Sequence, residues 1–263
     1  MNVGLLEQRV VLVSGVGPGL GRSVAAAALR EGALVALGDL DGERARGIRD
    51  ELDPGGARSL VAWLDITSDA SCADLVAQVK ARFGRLDGVV HVAALDHVVG
   101  GLLEGGLDDW DRTSEVNVKG TLRMTRAAVP MLQEHGGSVV VIGTVGAFRP
   151  RIEVLRFAYA MSKGALLTAV RYLARELGRH RIRVNTIAPG FKWGPVLEAW
   201  AKGEAEKRGV PLREVVAGLE RETSLGSLAS DDDIADSVVF FLSDLSAKVT
   251  GQTLVVDAGA YLG

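Results

Sequence analysis

The sequence has little of what disulfide-stapled domains, zinc proteins and membrane proteins are built from. One cysteine, Cys72, occurs in 263 residues, which excludes an internal disulfide framework and a cysteine-based zinc site. No apolar run approaches the ~18 residues of a membrane-spanning helix, and residues 1–8 lack the basic and apolar regions of a signal peptide. A net charge of −3 provides no basic surface for nucleic acid or for an anionic membrane. We therefore expect a cytoplasmic protein that holds no metal and whose partner is a small molecule.

The composition that remains is that of an ordinary α/β protein. Hydrophobic residues make up 48% of the chain, charged residues 24%, and there are 33 glycines, as in folds that depend on loops. No repeat of fixed period and no linker divides the sequence. We expect one domain over residues 1–263 that binds a dinucleotide and carries the catalytic residues.

Short apolar runs alternate with helical segments along most of the chain. The run at residues 9–14 contains almost no polar side chain, which is typical of a strand buried on both faces. The uninterrupted alternation predicts a doubly wound Rossmann fold, a parallel seven-stranded sheet with helices on both faces. We predict one long helix over residues 107–135, a final helix over 231–242 and a last, buried strand over 253–256.

A glycine-rich loop follows the first strand directly and opens the first helix. This order aims free backbone N–H groups at a phosphate, and glycines let the phosphate approach the backbone closely. The loop therefore predicts cofactor binding, although a purely structural turn is the alternative. The residues assigned to the cofactor here are Gly15, Pro18, Gly19, Leu20 and Gly21.

An acidic residue, Asp39, ends the second strand about twenty residues beyond the loop. A carboxylate at this place accepts hydrogen bonds from an adenosine ribose and repels a 2′-phosphate, so it favours NAD over NADP. Pro18 points the same way, because an arginine or lysine there would suit the extra phosphate. The alternative is that Asp39 caps the next helix, a role that Asp41 could take instead.

Other chemistry-bearing residues also follow predicted strands, where ligands of open α/β sheets bind. Asp65 follows the third strand, and a turn or capping role is as well supported for it as a cofactor role. His91 on the fourth strand reads as a core residue rather than a catalytic one. Asn117 is unusual inside a helix because its side chain competes with the backbone hydrogen bonds. One cleft could hold Asp39, Asp65, Ala93, Ala94 and Thr144.

Tyr159 and Lys163 lie four residues apart in a strongly helical stretch, so their side chains share one face. A free tyrosine titrates near ~10 and exchanges protons poorly at neutral pH. A fixed positive charge nearby lowers that pKa and would make the tyrosine usable as an acid or base. Taken alone, the pair is more typical of an exposed helix pair, and the preceding motifs are what favour the catalytic interpretation.

Residues 191–223 form an apolar insertion beside the predicted cleft, with two short helices. We interpret it as a substrate lid, and a subunit interface is the alternative. Its apolar residues are Trp193, Val196, Leu197, Trp200, Val210 and Leu212. The loop before Tyr159 should shape the substrate pocket through Phe148, Arg149, Arg151, Ile152 and Phe157.

Across nearly its full length the chain resembles the short-chain dehydrogenase/reductase family. Ser14-Gly15-x-x-x-Gly19-x-Gly21 matches the Thr-Gly-x-x-x-Gly-x-Gly loop of that family, and the Tyr-x-x-x-Lys pair matches its catalytic motif. Asn117, Pro189-Gly190 and the closing segments Thr250-Gly251-Gln252 and Asp257-Ala258-Gly259 also stand where the family has them.

The resemblance implies roles for individual residues and an assembly into dimers or tetramers. Tyr159 would be the general acid/base, Lys163 would lower its pKa and hold the nicotinamide ribose, and Asn117 would support a water in the proton relay. Thr144 would orient the substrate oxygen in place of the usual serine. The implied cofactor contacts are Leu40, Asp65 and Ile66 near the adenosine, Ala93 and Ala94 along the cleft, and Pro189, Gly190 and the backbone of Lys192 near the carboxamide.

Three departures from the family pattern stand out. Thr144 replaces the serine, His91-Val92-Ala93-Ala94 replaces Asn-Asn-Ala-Gly, and Gly194 stands about where a threonine usually binds the carboxamide. The resemblance implies an NAD-dependent oxidoreductase that interconverts a secondary alcohol and a ketone, and the apolar insertion suggests a hydrophobic substrate. The alternatives are an NADPH-linked biosynthetic ketoreductase and a non-catalytic nucleotide-binding protein.

Overall fold

The computed structural model describes residues 4–150 and 155–263, without the side chains of residues 195 and 196. Its sheet has seven strands, all parallel, in the order β3-β2-β1-β4-β5-β6-β7, which confirms the predicted doubly wound fold. The strands are β1 Val10–Ser14, β2 Leu34–Asp39, β3 Ser59–Trp63, β4 Gly88–His91, β5 Gly137–Ile142, β6 Ile182–Pro189 and β7 Thr253–Val256.

Helices cover both faces of this sheet, and each face has its own apolar core. The helices are α1 Leu20–Arg30, α2 Gly42–Leu52, α3 Asp69–Phe83, α4 Leu107–Ser114, α5 Thr121–His135, α6 Phe157–Leu177, α7 Pro195–Arg208, α8 Leu212–Glu220 and α9 Asp231–Leu242. Along β1, Val11 and Val13 belong to the core under α1 and α9, whereas Val10 and Leu12 belong to the core under α3, α5 and α6. Successive side chains of a strand point to opposite faces, so a strand buried on both must be apolar throughout.

Short polar side chains set where the helices begin. The Asp41 carboxylate accepts a hydrogen bond from the Arg44 amide at 3.0 Å and caps α2, so Asp39 is not the capping residue. Ser68 caps α3, and Gly84 ends that helix with a φ of 74°. Ser230 and Asp233 form a reciprocal capping box at the start of α9. The capping box explains why the predicted bounds of the last helix, residues 231–242, match those of α9.

The predicted single helix over residues 107–135 is instead interrupted. Helix α4 continues through a π-helical turn, Glu115–Gly120, before α5 begins. The wide turn contains Asn117, whose side chain bonds outside the helix. Such π-turns are rare and occur often at functional sites. A hydrophobic period cannot distinguish this turn from α-helix.

The prediction that β7 is buried is wrong. Strand β7 lies at the end of the sheet and pairs only with β6 among the described strands. Leu254 is 38% exposed as a result. An apolar strand sequence reports β-propensity but not whether a neighbouring strand exists.

The two helices predicted in the insertion are present as α7 and α8. Ala201, Ala205 and Val215 form a small core between them, with Trp200, Val210 and Leu212 packed against it. Several of the apolar side chains that suggested a lid are therefore used to hold the two helices together. Of the pocket-shaping residues predicted in the loop before Tyr159, Arg151 and Ile152 lie outside the described residues.

Gly15 lets the first loop pack against the end of β4. Its φ of 92° lies in the left-handed region, and a Cβ there would stand 2.3 Å from the backbone nitrogen of Ala93. Gly17, two residues on, has nothing within 4 Å of such an atom. The first position is thus fixed by packing, and the second faces open space.

We expect Gly15→Ala to lower the free energy of unfolding by at least about 2 kcal/mol, because it adds both backbone strain and a clash with backbone atoms. Gly17→Ala, the matched control, should stay within about 0.5 kcal/mol of the wild type. Urea unfolding of the two variants measures both values. Equal stabilities would show that Gly15 is not constrained as described.

Candidate active site

The predicted cofactor and catalytic residues come together at one edge of the sheet. In a parallel sheet all carboxyl ends lie on the same side, so residues that follow different strands become neighbours. The residues at these ends are Gly15 after β1, Asp39 at the end of β2, Asp65 after β3, Ala93 and Ala94 after β4, Thr144 after β5, and Pro189 and Gly190 at the end of β6. The fold therefore places these residues at one edge of the sheet, and the single cleft expected from the sequence stays a prediction.

The loop between β1 and α1 fits a diphosphate. The amide groups of Gly19, Leu20 and Gly21 donate to no other described residue, because backbone bonding in α1 starts with Arg22 N–H to the Gly17 carbonyl at 3.1 Å. A Cβ on Gly21 would lie 2.2 Å from the Gly15 carbonyl oxygen, so a side chain there would disrupt the loop. Free amides beside open space are what an anionic group requires.

Asp39 is buried at the end of β2 and already holds the loop. Its Oδ2 accepts from the Val16 amide at 2.6 Å, and its Oδ1 accepts from the Asp41 amide at 2.8 Å. The guanidinium of Arg44 also donates to Oδ1, at 2.7 Å. The carboxylate thus stands where the sequence placed it, and it has a cation beside it that the sequence analysis did not identify.

Asp65 takes the turn role that was left open for it. Its Oδ1 accepts from both the amide and the hydroxyl of Thr67, at 2.8 and 2.7 Å. The next residue, Ile66, is buried and packs so closely on Gly120 that a Cβ added to that glycine would lie 2.7 Å from the Ile66 side chain. Leu40 is exposed beside Asp39. Cofactor contacts by Leu40, Asp65 and Ile66 stay predictions.

Lys163 is buried, and its ammonium donates to the carbonyl oxygen of Ile142 at 2.7 Å. Burial lowers its pKa to about 8, because a charged amine loses its hydration there. Its Nζ lies 5.5 Å from the centroid of the Tyr159 ring, so the two side chains share one helix face as predicted. The hydrogen bond fixes α6 against the carboxyl end of β5.

The structure does not give the predicted lowering of the Tyr159 pKa. Burial, the largest cause, and the negative charge of Asp96 together raise the pKa to about 12, and the charge of Arg156 opposes that rise. Asp96 and Arg156 face each other, with Nη1 3.5 Å from Oδ2. Sequence reasoning missed both residues, since only the fold brings the segment after β4 beside the start of α6. The desolvation of the phenol outweighs the opposing charge of Arg156.

Asn117 clamps three segments together. Its Oδ1 accepts from the Leu95 amide at 2.7 Å, and its amide nitrogen donates to the Leu95 carbonyl at 3.0 Å and to the Ser162 hydroxyl at 2.9 Å. The side chain is fully buried. It therefore joins the π-turn to the chain after β4 and to α6, between Tyr159 and Lys163. The predicted support of a water stays a prediction.

Thr144 and His91 hold the remaining positions near the pair. Thr144 Oγ1 accepts from the Gly146 amide at 3.2 Å, which leaves its own proton available for a substrate oxygen. His91 is buried, with Nε2 2.9 Å from the Thr125 hydroxyl. Burial and the charge of Lys163 lower its pKa to about 3, so the imidazole is neutral. His91 is the core residue that the sequence indicated.

After β6 the structure shows two contacts that the sequence did not predict. A Cβ on Gly190 would lie 2.4 Å from that of Asp257, whose carboxylate holds the C-terminal turn through the amides of Gly259 and Tyr261. The Lys192 side chain reaches Asp231, with Nζ 2.6 Å from Oδ1. Carboxamide binding by the Lys192 backbone and by Pro189 and Gly190 stays a prediction.

The arrangement defines a class of protein. A doubly wound parallel sheet has free amides at its first βα-turn, an acidic residue at the end of β2, and half-buried Tyr159 beside buried Lys163 at the same edge. This arrangement is that of a nicotinamide-dinucleotide-dependent oxidoreductase. The described residues contain no cluster of metal-ligating side chains and no helix that could cross a membrane.

Comparisons with known proteins name the family. The family described as Enoyl-(Acyl carrier protein) reductase matches residues 15–261. The chain is 33% identical to 2-(S)-hydroxypropyl-CoM dehydrogenase 3 of Xanthobacter autotrophicus, over 97% of each chain. It is also 33% identical to (3R)-3-hydroxyacyl-CoA dehydrogenase of Canis lupus familiaris, over 98% of each. A short-chain type dehydrogenase/reductase from Mycobacterium ulcerans has a similar structure, with a TM-score of 0.87, 30% identity and coverage of 97% of this chain and 90% of that one.

The chain belongs to the short-chain dehydrogenase/reductase family. It is an NAD(P)-dependent dehydrogenase that acts on CH–OH groups.

The buried Lys163 predicts how stability changes with pH. Its pKa is about 8 in the folded chain, against an ordinary 10.5. Between these values the unfolded chain binds a proton that the folded chain has released, so the free energy of unfolding rises with pH, by at most about 1.4 kcal/mol per unit. We expect a rise of about 1–2 kcal/mol from pH 8 to 9.5 that is absent in Lys163→Met.

Urea unfolding at several pH values measures this rise. Tyr159→Phe is the matched control, because the phenol titrates above this range in both states, and it should retain the wild-type slope. An identical slope in Lys163→Met and the wild type would contradict the assignment.

Proposed function

We propose that the protein is an NAD-dependent dehydrogenase that interconverts a secondary alcohol and a ketone on a hydrophobic substrate. The observation that carries the proposal is that the Tyr159 hydroxyl makes no hydrogen bond to any described residue. Tyr159 lies on α6, which Lys163 anchors to the end of β5, two residues before Thr144. A bound nicotinamide supplies hydride transfer. The protein supplies the position of the substrate oxygen and its proton.

The three side chains divide this work. The Tyr159 phenol is protonated at neutral pH because its pKa is about 12, so it holds the proton that a ketone oxygen takes up. The Thr144 hydroxyl donates a hydrogen bond to the same oxygen and orients it. Lys163, with a pKa of about 8, is the neighbouring group that can give or take a proton near neutral pH. In the reverse direction Tyr159 takes the alcohol proton after its phenol has passed its own proton to neutral Lys163 or to solvent.

Exposed apolar side chains beside Tyr159 support a hydrophobic substrate. The segment around Gly100 pairs with the start of α6, where the Gly100 amide donates to the Leu155 carbonyl at 2.8 Å and the Phe157 amide donates to the Gly100 carbonyl at 3.2 Å. The exposed apolar residues of these two segments are Val99, Leu102, Leu103, Leu107, Leu155, Phe157 and Met161. An apolar surface of this kind marks a binding region. The names of the two relatives describe alcohols whose hydroxyl is on an interior carbon, which supports a secondary alcohol.

Asp39 supports NAD as the cofactor. A buried carboxylate at the end of β2 accepts from ribose hydroxyls and repels a 2′-phosphate. Arg44 partly offsets that repulsion because its guanidinium is hydrogen-bonded to the same carboxylate. The preference for NAD therefore depends on the Asp39 charge being retained.

A panel of lipophilic secondary alcohols with NAD, followed at the nicotinamide absorbance band, tests the reaction. We expect turnover of lipophilic alcohols in preference to small polyols. Tyr159→Phe should lower turnover at least about 100-fold, since general acid–base catalysis contributes that much, with NADH affinity by fluorescence titration changed less than about twofold. Unchanged turnover in Tyr159→Phe would refute its acid/base role, and turnover of polyols alone would refute the substrate class.

The cofactor preference has a separate test. Asp39→Asn removes one negative charge and leaves Arg44 available for a 2′-phosphate, so the ratio of NADPH to NADH dissociation constants should fall by at least about tenfold. Asp50→Asn removes a negative charge from the last turn of α2, where Asp50 pairs with Arg49, and should leave the ratio unchanged. Tighter binding of NADPH than NADH by the wild type would instead establish the NADPH-linked ketoreductase.

A further inference from the structure

A charge pair stands over the loop that faces the diphosphate. The Nζ of Lys192 lies 2.6 Å from Oδ1 of Asp231, and a Cβ on Gly19 would lie 3.2 Å from Oδ2 of that carboxylate and 4.0 Å from the ammonium. Gly194 is equally close, since a Cβ there would be 3.5 Å from the ammonium and 3.6 Å from the carboxylate. Both charges therefore lie beside the first residues of α1.

This pair is held in place by the chain on either side of it. Lys192 forms a parallel bridge with Ala229, and the Trp193 amide donates to the Ala229 carbonyl at 2.8 Å. Asp231 is the first residue of α9, which the capping box of Ser230 fixes. The side chains are 31% and 14% exposed, so the charges are partly shielded from water.

The ion pair does not use all the donors of the ammonium. Its Nζ lies 2.6 Å from Oδ1 of Asp231. A lysine ammonium has three N–H donors, so donors remain for another anion. The amides of Gly19, Leu20 and Gly21, at the start of α1 beside this pair, donate to no described residue.

We infer that the Lys192 side chain is a diphosphate contact of the cofactor and that Asp231 competes with the diphosphate for it. With Lys192 present, the charge of Asp231 beside Gly19 is neutralised and an anion can settle on the amides. Without Lys192, the same carboxylate repels the anion. The inference rests on the proposed place of the dinucleotide on the first loop.

The test compares ligands that differ in phosphate. Isothermal titration measures NADH, ADP and adenosine binding to the full chain. Lys192→Met should weaken NADH and ADP at least tenfold and leave adenosine within twofold, and added salt should reduce the loss. Lys192→Arg should retain most of the affinity. Lys80→Met, which removes a lysine from the last turn of α3 at the opposite edge of the sheet, is the matched control and should change nothing.

A second set of variants tests whether Asp231 competes with the diphosphate for Lys192. Asp231→Asn should bind ADP at least as tightly as the wild type, and Lys192→Met/Asp231→Asn should recover at least threefold of the affinity lost in Lys192→Met. Circular dichroism and thermal midpoints show that each variant is folded.

The outcomes separate the two proposals. If ADP binding is unchanged in Lys192→Met, or if adenosine weakens equally, the diphosphate contact is overturned. A double variant no better than Lys192→Met overturns the role of Asp231. If wild-type protein binds neither NADH nor adenosine, the proposed place of the dinucleotide is itself wrong.

Discussion

The burial of the Lys163 ammonium against the Ile142 carbonyl is the interaction on which the site depends. Burying a charged amine costs free energy unless the amine is hydrogen-bonded. The described hydrogen bond to Ile142, at 2.7 Å, offsets only part of that cost, because the pKa of Lys163 is still lowered to about 8. The bond ties α6 to the end of β5. Tyr159, one turn earlier on α6, and Thr144, two residues beyond Ile142, are thereby brought to the same edge of the sheet.

The π-turn of Asn117 carries out the second half of this positioning. The side-chain amide of Asn117 makes no hydrogen bond within its own helix, because all of its described hydrogen bonds reach Leu95 or Ser162. Removing this buried side chain would leave the N–H and the C=O of Leu95 without these hydrogen bonds. The π-turn therefore lets one side chain hold Leu95 and α6 at the same time.

The charges and pKa values of the site differ from the prediction more than the positions of its residues do. The Tyr–Lys spacing correctly placed the two groups on one face, but the direction of the tyrosine pKa shift was set by burial and by Asp96. Likewise, Asp39 was found from its place after β2, whereas Arg44 beside it was not. A pKa depends on every charge within several ångströms, and most of those belong to segments far away in the sequence.

What the sequence by itself determined is what depends on near neighbours: the strand and helix alternation, the glycine loop, the caps at Asp41, Ser68 and Ser230, and the residues that follow each strand. Only the tertiary structure decided that β7 is an exposed edge, that the apolar residues of α7 and α8 pack on each other, that a π-turn surrounds Asn117, and that Lys192 meets Asp231. The physical reason is that propensity, capping and turn chemistry act within a few residues. Burial and charge, in contrast, are properties of the space that distant segments come to share.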